Sequence, residues 1–148
     1  MRWRNQTQLY YARSCSTTKR GRQSARNKKV TSSKTRTGRA GEHFVAYLIE
    51  RSGLEAARVD GACDLHVTLD SGRVLRVEVK TATKLAGHKY KFYHSSFEAD
   101  IFALVAIQND QPLVRLLEES NMPRYALHRD EFTQESQDAD LQWIASLS

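Results

Sequence analysis

The sequence predicts an α/β domain, a central mixed β-sheet flanked by helices. Three observations carry that prediction. Residues 63–69 and 75–80 place apolar side chains at every second position, the period of half-buried strands. Residues 100–107 (DIFALVAI) form a near-continuous apolar run, as expected of a central strand covered on both faces. In residues 37–53, Phe44 with Leu48 and Val45 with Ile49 recur four apart, which makes one apolar helical stripe.

Taken in order, the chain opens on a segment that does not belong to the fold. The first 39 residues hold 12 of the 23 Lys and Arg and none of the 17 acids, which leaves 11 basic against 17 acidic residues beyond them. Residues 1–36 are rich in Ser, Thr and basic residues and poor in apolar ones, a composition that cannot bury a core, so they read as a disordered tail ahead of a folded domain at 37–148. Arg20, Arg22, Arg26, Lys28, Lys29, Lys34, Arg36 and Arg39 would neutralise phosphates and give salt-dependent affinity for nucleic acid. An acid-free, Arg- and Ser-rich N-terminus also matches a transit peptide or an extended start ahead of Val30.

Thr37 is positioned to cap the first helix and Gly53 to end it. Residues 54–60 read as a strand and Asp60-Gly61 as a turn. A hairpin follows, its strands at 63–69 and 74–80 joined by Asp70-Ser71-Gly72, with Gly where a left-handed backbone is wanted. Residues 81–88 read as a loop and 89–94 (KYKFYH) as a basic strand. There the alternation of Lys89 and Lys91 with aromatics, with Lys84 just ahead, suits either a DNA backbone or a half-buried edge strand, and His94 and Ser95 are candidate contacts to a scissile phosphate. After the 100–107 strand, Asn109-Asp110 turns the chain and 112–117 returns as another strand. From Glu118 the pattern loosens, Met122-Pro123 would break any helix, and 138–147 reads as a short terminal helix with Leu141, Ile144 and Ala145 inward. Asp100 is expected to cap or to bridge to a basic residue.

The chemistry lies in the hairpin. A three-residue loop pairs Leu69 with Arg73, and that register carried back along the strands sets Asp64 opposite Glu78. Facing carboxylates about 5 Å apart repel unless something positive sits between them, and a divalent cation would remove the conflict. Lys80 lies one pleat along on the same face. Asp60 is a second candidate acid, weaker because a turn residue has no defined face.

Asp64, thirteen residues, then Glu78-Val79-Lys80, preceded by a helix with Gly41-Glu42, resembles the PD-(D/E)XK superfamily of magnesium-dependent nucleases, with Cys63 in place of the Pro. The resemblance spans roughly residues 37–117 and includes the Thr81-Ala82 of some small phage and homing enzymes. It implies a restriction-endonuclease-like core, Asp64, Glu78 and the Val79 carbonyl as ligands to Mg2+ (Mn2+ substituting), Glu42 as a further acid at the metal, and Lys80 positioning the attacking water. It also implies hydrolysis of DNA to 5′-phosphates by a homodimer or homotetramer. Homing-type double-strand cleavage fits first, with Holliday-junction resolution or an inactive nucleic-acid-binding module of the same fold as alternatives.

Other classes find no support in the sequence. No apolar run approaches the ~20 residues of a membrane helix. Two cysteines with no Cys-x-x-Cys or Cys/His spacing give no zinc signal and fit an intracellular setting, cytoplasm or nucleoid, or an organelle if the tail is a transit peptide. No phosphate-binding glycine loop or nucleophile elbow is present.

Overall fold

The computed structural model describes residues 33–93, 98–118 and 124–147. The first helix, α1 (Ser33–Arg51), begins ahead of the expected Thr37, which lies inside it. It ends as expected at Gly53, whose φ of +96° places it in the region open to glycine. Three antiparallel strands follow, β1 (Glu55–Arg58), β2 (Leu65–Thr68) and β3 (Val74–Ala82). The loop register is the predicted one. Leu69 N–H donates to the Arg73 carbonyl at 2.9 Å, Gly72 has φ +82°, and Leu65 pairs with Val77.

The central strand β6 (Ile101–Gln108) lies parallel to β3 and antiparallel to β7 (Gln111–Glu118), giving a mixed sheet of order β1-β2-β3-β6-β7. Asn109 and Asp110, with φ of 47° and 62°, make the tight turn between β6 and β7. Asp100 bridges to a basic residue as anticipated: its Oδ2 accepts from Arg76 N at 2.8 Å and from the Arg76 guanidinium at 3.2 Å. The guanidinium holds the Asp100 carboxyl below the ordinary range.

Three expectations need correction. Residues 81–88 are not one loop, because β3 runs on to Ala82 and a short strand, β4 (Leu85–Ala86), follows. The basic strand β5 (Lys89–Tyr93) is no edge. It is the middle of a second sheet, between β4 and β8 (Arg124–His128), a strand that the loosened pattern after Glu118 concealed. The last helix, α2 (Gln134–Ala145), begins four residues earlier than its apolar pattern indicates, where Thr133 Oγ1 accepts from Ser136 N at 3.1 Å.

Strand parity sorts the core into two layers. Leu65, Val67, Leu75, Val77 and Val79 pack on one face of the main sheet with Val45, Leu48 and Ile49 of α1 and Leu141 and Ile144 of α2. On the other face Phe102, Leu104 and Ala106 pack with Tyr90 and Phe92 of the small sheet and with Phe132. The polar side of α2 also works. Gln137 Oε1 accepts from Val114 N at 3.2 Å and Asp140 Oδ2 from Leu116 N at 2.8 Å, so side chains occupy donors that the edge strand β7 would otherwise expose. Among the described residues no helix is long and apolar enough to cross a membrane.

Candidate active site

The site forms where β2 runs out beside β3. In β3, Leu75, Val77 and Val79 turn their backbone groups toward β2, and β2 satisfies them up to Val77. One residue further the ladder slips, since Asp64 N–H donates to the Val77 carbonyl at 3.1 Å. Val79 N–H therefore lacks a strand partner on that edge, and the Asp64 side chain supplies one, Oδ2 accepting at 2.7 Å. Asp64 is anchored again through its carbonyl, which accepts from Val59 N at 3.1 Å. That leaves the second carboxylate oxygen, and because a strand residue turns both of its backbone groups to one edge, the Val79 carbonyl lies on the same edge.

Glu78 points to the opposite face of β3 from Val77 and Val79. It is only 3% exposed, one of two buried polar residues in the described chain. A buried carboxylate needs a charge partner, and Lys80 Nζ donates to Glu78 Oε1. The Lys80 charge also reaches Asp64, where it favours the ionised form. Burial nevertheless outweighs it and the Val79 hydrogen bond, and the Asp64 carboxyl is raised above its ordinary range. The same surroundings raise the Cys63 thiol, first by burial and then through the negative charges of Asp64 and Glu78.

Glu42 approaches from α1. Its charge is among those that raise Asp64, and its Oε2 accepts from Arg58 Nη2 at 2.5 Å and Nε at 3.1 Å. The third guanidinium nitrogen of Arg58 is 3.4 Å from His43 Nε2. Sequence reasoning did not pair Arg58 with Glu42. The signal was parity, since Ala56 and Arg58 share the β1 face that turns toward α1. The helix can come this near because residue 41 is glycine. A Cβ there would lie inside contact distance of Thr81 Oγ1 and 3.3 Å from Thr81 Cβ.

Asp64, Glu78, Val79 and Lys80 are thus gathered at one end of the hairpin. Asp60 lies exposed in the preceding bend. Among the described residues no three His, Cys, Asp or Glu side chains are close enough together to form a ready metal cage. Lys84, Lys89 and Lys91 are exposed around β4 and β5, and Arg36 and Arg39 lie on the first turns of α1. Arg20, Arg22, Arg26, Lys28 and Lys29 lie outside the described residues, as does the side chain of Lys34, and so does the candidate phosphate contact His94-Ser95.

The fold has a solved counterpart. The structure of a bacterial homing endonuclease, I-Ssp6803I, superposes with a TM-score of 0.58 at 17% sequence identity, covering 78% of this chain and 93% of that one. No protein-family model and no curated protein matches the sequence.

Proposed function

We propose that this chain is a metal-dependent DNA endonuclease of the PD-(D/E)XK type, cutting duplex DNA to leave 5′-phosphates, as a homing or phage-type enzyme does. Two active sites are needed to cut both strands, so the working unit is a homodimer or homotetramer. The observation that carries the reading is the pairing of a buried Glu78 with Lys80 beside an Asp64 held by the Val79 amide. A plain amphipathic strand has no reason to bury its Glu. The likeness of the fold to a homing endonuclease supports the same reading.

The donor set fits magnesium. All of its groups are oxygens, and a hard cation that keeps several waters is satisfied by one or two carboxylates and the substrate phosphate, so a three-acid cage is not required. Asp64, Glu78 and the Val79 carbonyl would hold the ion, with Glu42 adding charge from α1. When bound, magnesium, or manganese in its place, supplies Lewis-acid activation of a water and stabilises charge on the phosphate oxygens.

The chain itself does the rest. The Val79 amide fixes the Asp64 carboxylate, so that little reorganisation is left for the reaction. Lys80 has three N–H donors and uses one on Glu78, which leaves the others for a scissile phosphate oxygen and the attacking water. Arg58 balances Glu42, whose charge reaches Asp64.

The test is to incubate plasmid, linear duplex and four-way-junction DNA with the protein in magnesium or in EDTA. Cleavage of the duplexes in magnesium alone, with ends that ligate without added phosphate, is expected. Binding of every DNA with no cleavage would contradict the assignment in favour of a binding module, and cleavage confined to the junction would make the protein a resolvase.

A further inference from the structure

We infer that the outer face of the β4-β5-β8 sheet is a docking surface for duplex DNA, carrying the substrate alongside the catalytic residues. It rests on the endonuclease reading for what happens to the DNA once bound, and on the geometry of this sheet for the binding itself.

Tyr90 and Phe92 point inward to the main sheet, so Lys89, Lys91 and Tyr93 point out, and all three are exposed. On β8 the residues opposite Lys89 and Lys91 are His128, whose Nδ1 lies 3.1 Å from Asp130 Oδ2, and Ala126. The outward positions of these two strands thus bear cationic, aromatic and small residues and no carboxylate. That is unusual in this chain, where acids outnumber basic residues beyond the first 39 positions. Elsewhere among the described residues Arg58, Arg76, Lys80, Arg115 and Arg129 each sit against a carboxylate, while Arg36, Arg39 and Arg51 on α1 and Arg73 ahead of β3 form no ion pair with a described residue. Lys84, Lys89 and Lys91 form no ion pair with a described residue. Leaving positive charge unmatched on one face is what a polyanion-binding surface requires.

Direction decides what this face serves. The small sheet covers the face of the main sheet bearing Phe102 and Leu104, whose register partners in β3 are Glu78 and Lys80. The basic outer face and the acid-lysine row therefore look out on the same side, and a ligand lying along one passes the other. A single-strand binder would need a series of exposed aromatics for stacking, and on these two strands the outward row offers only Tyr93.

The test measures binding of a labelled duplex, and of one of its strands alone, by the full chain in EDTA over about 50–200 mM salt. Parent and Lys89→Gln/Lys91→Gln proteins are compared. In the lysine double variant, duplex affinity should fall and the slope of log K against log salt should shrink by about two, since each phosphate contact contributes about 0.9. Duplex affinity and slope equal to the parent's in the lysine variant would overturn the proposal, as would a loss confined to the single strand. Duplex held through Lys89 and Lys91 but never cut in magnesium would instead sink the endonuclease reading and leave the surface standing.

Discussion

Asp64→Asn and Glu78→Gln are each expected to lower magnesium-dependent cleavage by about 10²- to 10³-fold or more, the cost of deleting one group that stabilises charge in a preorganised site. Single-turnover assays on linear duplex measure it. The Asp64→Asn variant should fold normally, because an amide oxygen can still accept from Val79 N, so the loss reports chemistry and not collapse. Its stability can be signed. The folded-state carboxyl of Asp64 is raised, so ionising it costs the folded state free energy above that raised value, and the cost disappears as pH falls through it. The Asp64→Asn protein should therefore melt no lower than the parent near neutral pH. In the parent, loss of cleavage on acidification should begin closer to neutrality than for an ordinary carboxylate, because ligation needs the ionised form.

Gly41→Ala should destabilise the protein by about 1–3 kcal/mol, the range for inserting a methyl into a packed contact. The added Cβ meets Thr81, one residue past Lys80 on β3, so either α1 must lift or Thr81 must turn. Thr81 Oγ1 is buried with no hydrogen-bond partner in the structure, so removing it sacrifices no bond. Thr81→Ala in the Gly41→Ala background should then recover much of the loss, because the nearest remaining atom is the Thr81 Cβ position at 3.3 Å. Urea unfolding of the two single variants and the double measures the coupling. Additive losses would show that the helix does not pack on β3 at this point.

The elements legible from sequence were those whose period is set by a single buried face. The hairpin from Leu65 to Val79 has one face on α1, and that parity put Leu65 opposite Val77. The buried run at β6 was legible because both of its faces are covered. The small sheet was harder. In β8 the apolar signal is only Tyr125 and Leu127, two residues of a five-residue strand, and its partner β5 is more than thirty positions earlier in the chain. Capping was hidden in a different way. That Thr133 starts α2, and that Gln137 and Asp140 serve an edge strand, depends on where β7 lies in space. In the site, sequence parity set Asp64 opposite Glu78, a pairing the structure does not make, because the ladder ends with Leu65 on Val77 and Asp64 N–H donates to the Val77 carbonyl. Parity could not show the slip at Val77 that turns the Asp64 side chain onto the Val79 amide, nor that Arg58 would hold Glu42.

Everything proposed for this site depends on metal binding at Asp64 and Glu78. Calorimetric titration of magnesium and of manganese into the parent, Asp64→Asn and Glu78→Gln proteins, with DNA absent, tests it without relying on the right substrate. The expected result is binding to the parent that weakens as pH falls and is lost in both variants. Parent and variants that bind metal equally, or a parent that binds none even with uncut duplex present, would contradict it.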